Sequence, residues 1–140
     1  MKIWIVNTNT KEENENPNGY KYMLRQNKAS AFWDKRHKVD PIKPEDLVLL
    51  YHNKNRIIAV GCAIESHNNP DYVKDVEHWI DVNWIWKASF NSDNKPINFI
   101  DRYNIGLGKL VMNNTVINVT SSIDYEKLLM EIAKNQIFNL

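Results

Sequence analysis

Aromatic and cationic side chains offer the clearest chemistry in this chain. Trp33 is followed closely by Lys35, Arg36 and Lys38. An indole ring presents a flat apolar surface on which a nucleobase can stack, contributing roughly 1–3 kcal/mol per base, and basic side chains bind phosphate oxygens. Trp79 stands beside a polar loop, where it could form a second wall. This pattern favours binding of a base lifted out of its stack, with its phosphates held alongside.

Packing is the alternative interpretation of each tryptophan. Trp33 also suits the core of a short helix, and Trp79 suits either a wall or packing. Trp84 and Trp86 are expected to share one face of a strand with Ile80 and Val82, and that face is expected to lie against the core. Trp4, in the opening apolar run, is likewise expected to be core.

Sequence motifs for catalysis and metal binding are absent. The four histidines lack the His-Glu-x-x-His spacing, and Cys62 has no Cys-x-x-Cys partner. There is no Gly-x-Ser-x-Gly nucleophile elbow. The stretch 106–108 lacks the lysine and hydroxyl residue of a phosphate-binding loop. We therefore expect no catalytic residue, no metal and no cofactor, and a binding domain rather than an enzyme.

Length and charge indicate one ordinary globular domain over residues 1–140. The 18 basic and 17 acidic residues give a net charge of +1, so a nucleic-acid site must arise from local placement of charge. The single cysteine excludes an internal disulfide and suggests a reducing, cytoplasmic compartment. The N-terminus does not resemble a secretory signal, and no apolar stretch reaches the roughly 18 residues that span a bilayer.

The order of predicted elements indicates an α+β fold with a small curved sheet or open barrel. Strands are predicted at residues 2–7, 47–52, 56–65, 78–86 and 115–120, and helical structure at 20–31 and 121–134. The nearly continuous apolar hairpin predicts cover on both of its faces. Gly61, inside the second hairpin strand, predicts a bulge or a bend. Ser122 is the expected N-cap of the last helix, whose apolar stripe is Tyr125, Leu128, Leu129 and Ile132.

Several segments resemble the PUA-like superfamily and, within it, the EVE and YTH domains. They are the opening strand Ile3-Trp4-Ile5-Val6 with Asn7-Thr8-Asn9, the stretch Ala31-Phe32-Trp33-Asp34, and Trp79-Ile80-Asp81-Val82-Asn83-Trp84-Ile85, which is similar to the "D-V-x-W-I" strand of YTH domains. The hairpin after Asp46 is also similar to EVE-like domains, although Glu45 stands where a glycine is usual. The resemblance implies a PUA-like fold, a small curved sheet or open β-barrel flanked by short helices.

The resemblance also implies a reader that flips a modified base into an aromatic cage. Trp33 would be one wall, and Trp79 and Tyr72 are the residues this chain offers for the others. Contacts to the nucleotide and the base edge would come from Asn7, Thr8, Asn9 and Asp34, and phosphates would be held by Lys35, Arg36 and Lys38.

The end of the chain resembles the EVE-like domains at the N-terminus of McrB-type restriction subunits. That likeness implies methylated DNA, carrying N6-methyladenine or a modified cytosine, as the partner. It also implies a specificity domain of a modification-dependent restriction system, which could be the N-terminal fragment of a longer protein and work with an AAA+ GTPase and a nuclease. The alternatives are a YTH-like RNA reader of N6-methyladenine, a protein-interaction domain, and an ASCH-type enzyme, whose Gly-x-Lys-x-x-Glu-x-Arg motif is missing here.

Overall fold

The computed structural model describes residues 1–8, 19–52, 56–67, 77–93, 95–110 and 114–138, and leaves the side chains of 33, 137 and 138 undescribed. In chain order the described elements are strand β1 (Ile3–Asn7), helix α1 (Tyr20–Gln26), β2 (Lys28–Phe32), the 3-10 helix η1 (Trp33–Val39), β3 (Leu47–His52), β4 (Arg56–His67), β5 (Glu77–Lys87), β6 (Ile100–Asp101), the 3-10 helix η2 (Arg102–Ile105), β7 (Val116–Asn118) and α2 (Tyr125–Phe138). None of these helices is both long enough and apolar enough to cross a membrane.

The strands form one curled sheet, an open half-barrel, in the order β2-β5-β4-β3-β1-β7. Strands β1 and β3 are parallel, and every other pairing along this path is antiparallel. The short β6 pairs with the start of β4. The expected α+β fold with a small curved sheet and short helices is therefore confirmed.

Apolar clusters cover both faces of the central strands. On β3, Val48 and Leu50 belong to one cluster, which α1 and η1 close with Tyr20, Met23 and Val39. The alternate residues Leu47 and Leu49 belong to a second cluster, which α2 closes with Leu128 and Ile132. Side chains alternate between the faces of a strand, so the near-continuous apolar run reflects burial on both sides, as predicted.

The segment 20–31, predicted to form a short helix or two, is a helix followed by a strand. Helix α1 ends at Gln26 because Asn27 adopts the left-handed conformation (φ 54°), which closes a helix and reverses the chain. The next five residues then pair with β5 as β2. Pairing with a neighbouring strand outweighed the local helical pattern, so this part of the prediction was wrong.

The C-terminal helix begins later than predicted, at Tyr125. Its first turn is capped by Asp124, whose carboxylate accepts a hydrogen bond from the Lys127 N–H at 3.1 Å, and not by Ser122. Of the predicted apolar stripe, Leu128 and Ile132 are buried, whereas Tyr125 and Leu129 are exposed. A single helix packed on one face of the sheet buries only a narrow stripe.

A bulge lies where Gly61 predicted one. The β4–β5 register shifts between Val60 and Gly61, which pair with Trp86 and Trp84 respectively. The extra residue, Ile85, turns Trp86 into the α2-side cluster while Trp84 packs on the opposite side. The two tryptophans therefore lie on different faces, contrary to the alternation predicted, because a bulge reverses the period of two.

Candidate nucleic-acid interface

The strand register brings a row of polar and aromatic side chains onto one face of β2, β5 and β4. Trp79 of β5 lies between Ser30 of β2 and His67 of β4. Two positions along, Asp81 lies next to Lys28 of β2. The intervening residues point into the core. We call the resulting surface the Trp79 face, and it consists of Lys28, Ser30, His67, Glu77, Trp79 and Asp81.

Trp79 is half-buried, with planar and charged groups against its indole. The His67 imidazole is stacked on it almost in parallel, with ring centroids 4.7 Å apart and planes 15° apart. The Lys28 ammonium lies 4.4 Å from the indole centroid. His67 and Lys28 come from the strands on either side of β5, so the indole is held between an imidazole and a cation. The indole therefore makes one stacking interaction and one cation–π interaction, and both are favourable for an aromatic ring.

Asp81 fixes the orientation of both rings. Its carboxylate accepts a hydrogen bond from the Trp79 indole N–H at 3.1 Å, and its other oxygen lies 2.7 Å from His67 Nε2. The imidazole and the Asp81 carboxylate are each about one-third exposed. The stack therefore sits at the surface, where a ring from outside can reach it.

Beneath the stack, Glu77 is buried within a polar network. Its carboxylate lies 2.9 Å from the Lys28 ammonium and accepts a hydrogen bond from Ser30 at 2.8 Å. The Tyr22 hydroxyl donates to the same carboxylate at 3.2 Å. These partners compensate the negative charge of Glu77, whose burial without them would cost a large amount of free energy.

Lys28 stays protonated because the network favours its charged form. Burial acts to lower the pKa of Lys28, but hydrogen bonding with Tyr22 and Glu77 outweighs burial and holds that pKa above its ordinary value. The ammonium also lies 4.7 Å from the centroid of the Tyr22 ring. Two aromatic rings, from Tyr22 and Trp79, thus border one cation.

The predicted cationic strip lies on η1. Trp33 is the first residue of η1 and directly follows Phe32, which pairs with Glu77. The η1 segment packs against β2 and β5, and its Val39 joins the apolar cluster that also holds Ala29 and Ile80. Asp34, Lys35 and Lys38 are exposed, and Arg36 is half-buried. The η1 segment therefore packs on the face of β2 and β5 that lies opposite to Trp79.

Asn7 and Thr8, predicted from the end of β1 to touch the nucleotide, lie at the end of the sheet opposite to Trp79. The strand register places them there. Asn7 pairs with Tyr51, and its backbone N–H bonds to Thr115. Thr8 is buried, and its N–H and hydroxyl both donate to the Tyr51 carbonyl, at 3.0 and 2.9 Å. Asn9 and Tyr72 lie outside the described residues. The nucleotide-contact and cage assignments stay predictions.

Sequence reasoning missed the residues that surround Trp79. Lys28 and Ser30 were missed because residues 20–31 were predicted to be helical, and Glu77 because the predicted strand begins only at residue 78. The alternation of Lys28 and Ser30 with Ala29 and Ala31 is the period-two signal that could have identified β2. His67 could not be assigned to Trp79 without the β4–β5 register.

Comparison with known proteins shows the fold. The chain is similar to the Mmi1 YTH domain in its crystal structure in complex with RNA, with a TM-score of 0.56 and 9% identity over 99% of this chain and 82% of that one. It is also similar to Rpa0253 from Rhodopseudomonas palustris, solved by NMR, with a TM-score of 0.52 and 12% identity over 95% and 94% of the two chains. A third similar structure is PSPTO5229 from Pseudomonas syringae, with a TM-score of 0.52 and 14% identity over 92% and 99%. No family profile matches the sequence, and no curated protein does.

Proposed function

We propose that this chain is a non-catalytic nucleic-acid-binding domain that reads a modified base at the Trp79 face. The observation that carries the proposal is the half-buried Trp79 indole between a stacked imidazole and an ammonium. A base that takes the place of the His67 ring would keep the stacking and gain a larger flat surface. The similarity in fold to a YTH domain seen in complex with RNA supports a nucleic-acid ligand.

The polar groups of the Trp79 face support binding rather than catalysis. The Glu77 carboxylate has three side-chain partners, and the Asp81 carboxylate holds two rings. Groups held in this way position their neighbours. Specificity would then come from the shape of the site and from the modification on the base.

The finer proposal is a reader of methylated DNA, carrying N6-methyladenine or a modified cytosine, within a modification-dependent restriction system. Trp33 and Tyr72 would complete an aromatic cage around the base opposite Trp79. Burial of one methyl group contributes about 0.8 kcal/mol, so the modification itself would be sensed by apolar contact. A YTH-like reader of N6-methyladenine in RNA is the alternative, and the fold similarity to an RNA-bound domain favours it.

Two substitutions test the role assigned to Trp79. We expect Trp79→Ala to weaken oligonucleotide binding by about 5- to 150-fold, which corresponds to the roughly 1–3 kcal/mol of one stacked base. We expect His67→Ala to bind at least as tightly as the unmodified protein, because it vacates the place that the base would take. Both are measured by fluorescence anisotropy at low salt.

Tyr103→Ala is the matched control, because it removes an exposed ring of η2, which is not part of the Trp79 face. It should leave affinity unchanged. Thermal unfolding of each variant shows that the fold is retained. Equal binding by Trp79→Ala and the unmodified protein would remove Trp79 from the site.

A further inference from the structure

Two histidines and one aspartate meet where η1 packs against β5. Asp40 follows η1 directly, and its N–H bonds to the His37 carbonyl as the helix closes. One Asp40 oxygen lies 3.1 Å from His37 Nδ1, and the other lies 2.8 Å from Nδ1 of His78 on β5. The two imidazoles are perpendicular, with centroids 4.7 Å apart. We propose that His37, Asp40 and His78 form a binding site for Zn²⁺ or a similar divalent transition metal.

The spacing of these groups suits a zinc ion. Zinc binds imidazole nitrogen and carboxylate oxygen at about 2.0–2.2 Å, which puts neighbouring ligands of a tetrahedron about 3.4 Å apart. The ligand atoms of the three side chains all lie within 4.8 Å of one another. Binding of a metal therefore requires rotations of His37 and Asp40 that replace their hydrogen bonds with bonds to the ion. Two imidazoles and one carboxylate supply three ligands, and a water molecule completes four-fold coordination.

Burial makes one ligand rigid and leaves another free to adjust. The His78 side chain is 5% exposed, Asp40 25% and His37 63%. The strand fixes His78, and the 3-10 turn presents His37 and Asp40, three residues apart, on one side. The exposed His37 ring faces solvent, from which an ion and the water ligand would enter.

The charge around the site selects for a metal that imidazole binds well. Lys35, Arg36 and Lys38 belong to the same 3-10 segment, and they repel a bare cation. Magnesium and calcium prefer several oxygen ligands and would find only one carboxylate here. Zinc, copper and nickel gain coordinate bonds to imidazole that offset this repulsion.

Glu65, His67 and Asp81 form a second group with suitable spacing, but it is the weaker candidate. It contains one imidazole rather than two, and its members are exposed or half-exposed. His67 and Asp81 already hold the Trp79 indole. This group supplies the matched control for the first.

Zinc binding to the whole chain, measured by competition with a chromophoric chelator, tests the proposal. We expect one Zn²⁺ per chain and no competition from a large excess of Mg²⁺. Losing even an outer-shell partner of a metal costs about 10–100-fold in affinity, so His37→Ala and Asp40→Asn should each weaken binding at least tenfold. Both positions lie at the surface, and thermal unfolding without metal shows that the variants fold.

His67→Ala should bind zinc like the unmodified protein. Unchanged binding in His37→Ala and Asp40→Asn would overturn the proposal. Loss of binding in His67→Ala alone would overturn it as well, because it would move the ion to the second group. Failure of the unmodified protein to bind Zn²⁺ would also overturn it.

Discussion

Asp46 shows how one buried residue ties the start of the chain to the sheet. One of its carboxylate oxygens accepts the Lys2 N–H at 2.9 Å, and the other accepts the Trp4 indole N–H at 2.9 Å and the Lys43 N–H at 3.0 Å. Trp4 was predicted to be core, and it is buried. Its indole N–H finds this partner at the edge of the core, as a buried tryptophan requires.

The Asp46 carboxylate makes stability depend on acid pH. Burial acts to raise the pKa of Asp46, but the hydrogen bonds from Lys2, Lys43 and Trp4 outweigh burial and place that pKa below its ordinary value. A group with a lowered pKa in the folded state stabilises the protein above its unfolded pKa of about 3.9. That contribution is lost as the pH falls through the lower, folded value.

We therefore expect Asp46→Asn to lower the free energy of unfolding at neutral pH by about 1–3 kcal/mol. The amide N–H₂ group, a donor, would replace one of the two oxygens that now accept hydrogen bonds from N–H groups. The difference between the two proteins should start to shrink below about pH 4, where Asp46 of the unfolded chain takes up a proton, and should be smallest below the lower pKa of the folded state. Urea unfolding at several pH values measures both effects. A difference that stays constant down to the acid limit would show that the charge of Asp46 is not what stabilises this corner.

At the scale of elements, the bulge at Gly61 decides which way the second half of β5 faces. A Cβ at Gly61 would lie 2.7 Å from both the Asn83 carbonyl oxygen and the Trp84 ring. Neither can move easily, since both belong to the paired strand. Glycine is required here by the close approach of β5 rather than by an unusual backbone angle.

Gly61→Ala should lower the free energy of unfolding by about 1–3 kcal/mol, the usual cost of overpacking a core. Gly108→Ala is the matched control. A Cβ there would lie 2.7 Å from an atom of the Tyr103 ring, but Tyr103 is exposed and can rotate away. Chemical denaturation of both variants measures the difference. Equal losses would mean that the β4–β5 contact at Gly61 is more compliant than the structure indicates.

The elements that could be predicted are those whose residues carry their own signal. The alternating or continuous apolar runs of β1, β3, β4 and β5 specify strands locally, and Gly61 marks its own bulge. β2 was harder to predict, because its period-two signal is short and directly follows α1, which Asn27 ends through a left-handed backbone. The site was only partly predictable for the same reason. Trp79 could be identified from its residue type alone, but the positions of Lys28 and His67 beside it follow from the pairing of β2 and β4 with β5.

At the scale of the whole molecule, the near-neutral net charge leaves phosphate binding to local groups. Lys35 and Lys38 are exposed on η1, which packs against β2 and β5. Each phosphate that a protein neutralises contributes about 0.9 to the slope of log affinity against log salt. We expect the Lys35→Ala, Lys38→Ala double variant to bind more weakly and with a slope smaller by up to about 2.

The double variant Lys127→Ala, Lys134→Ala removes the same charge from exposed positions of α2 and is the control. Its slope should stay close to that of the unmodified protein. Equal losses in the two double variants would mean that the phosphates follow no defined path along η1. Titrations over a series of salt concentrations make this comparison.

Binding of the unmodified protein to matched oligonucleotides tests the central claim most directly. Duplex DNA and single-stranded RNA of one sequence would be titrated at low salt, without modification, with N6-methyladenine, and with a modified cytosine. We predict a gain in affinity of about fourfold or more for one modified base, from about 0.8 kcal/mol per buried methyl group. The polymer that shows the gain would identify DNA or RNA as the target. Equal affinity for modified and unmodified strands would contradict base reading, and no binding at low salt would contradict a nucleic-acid ligand altogether.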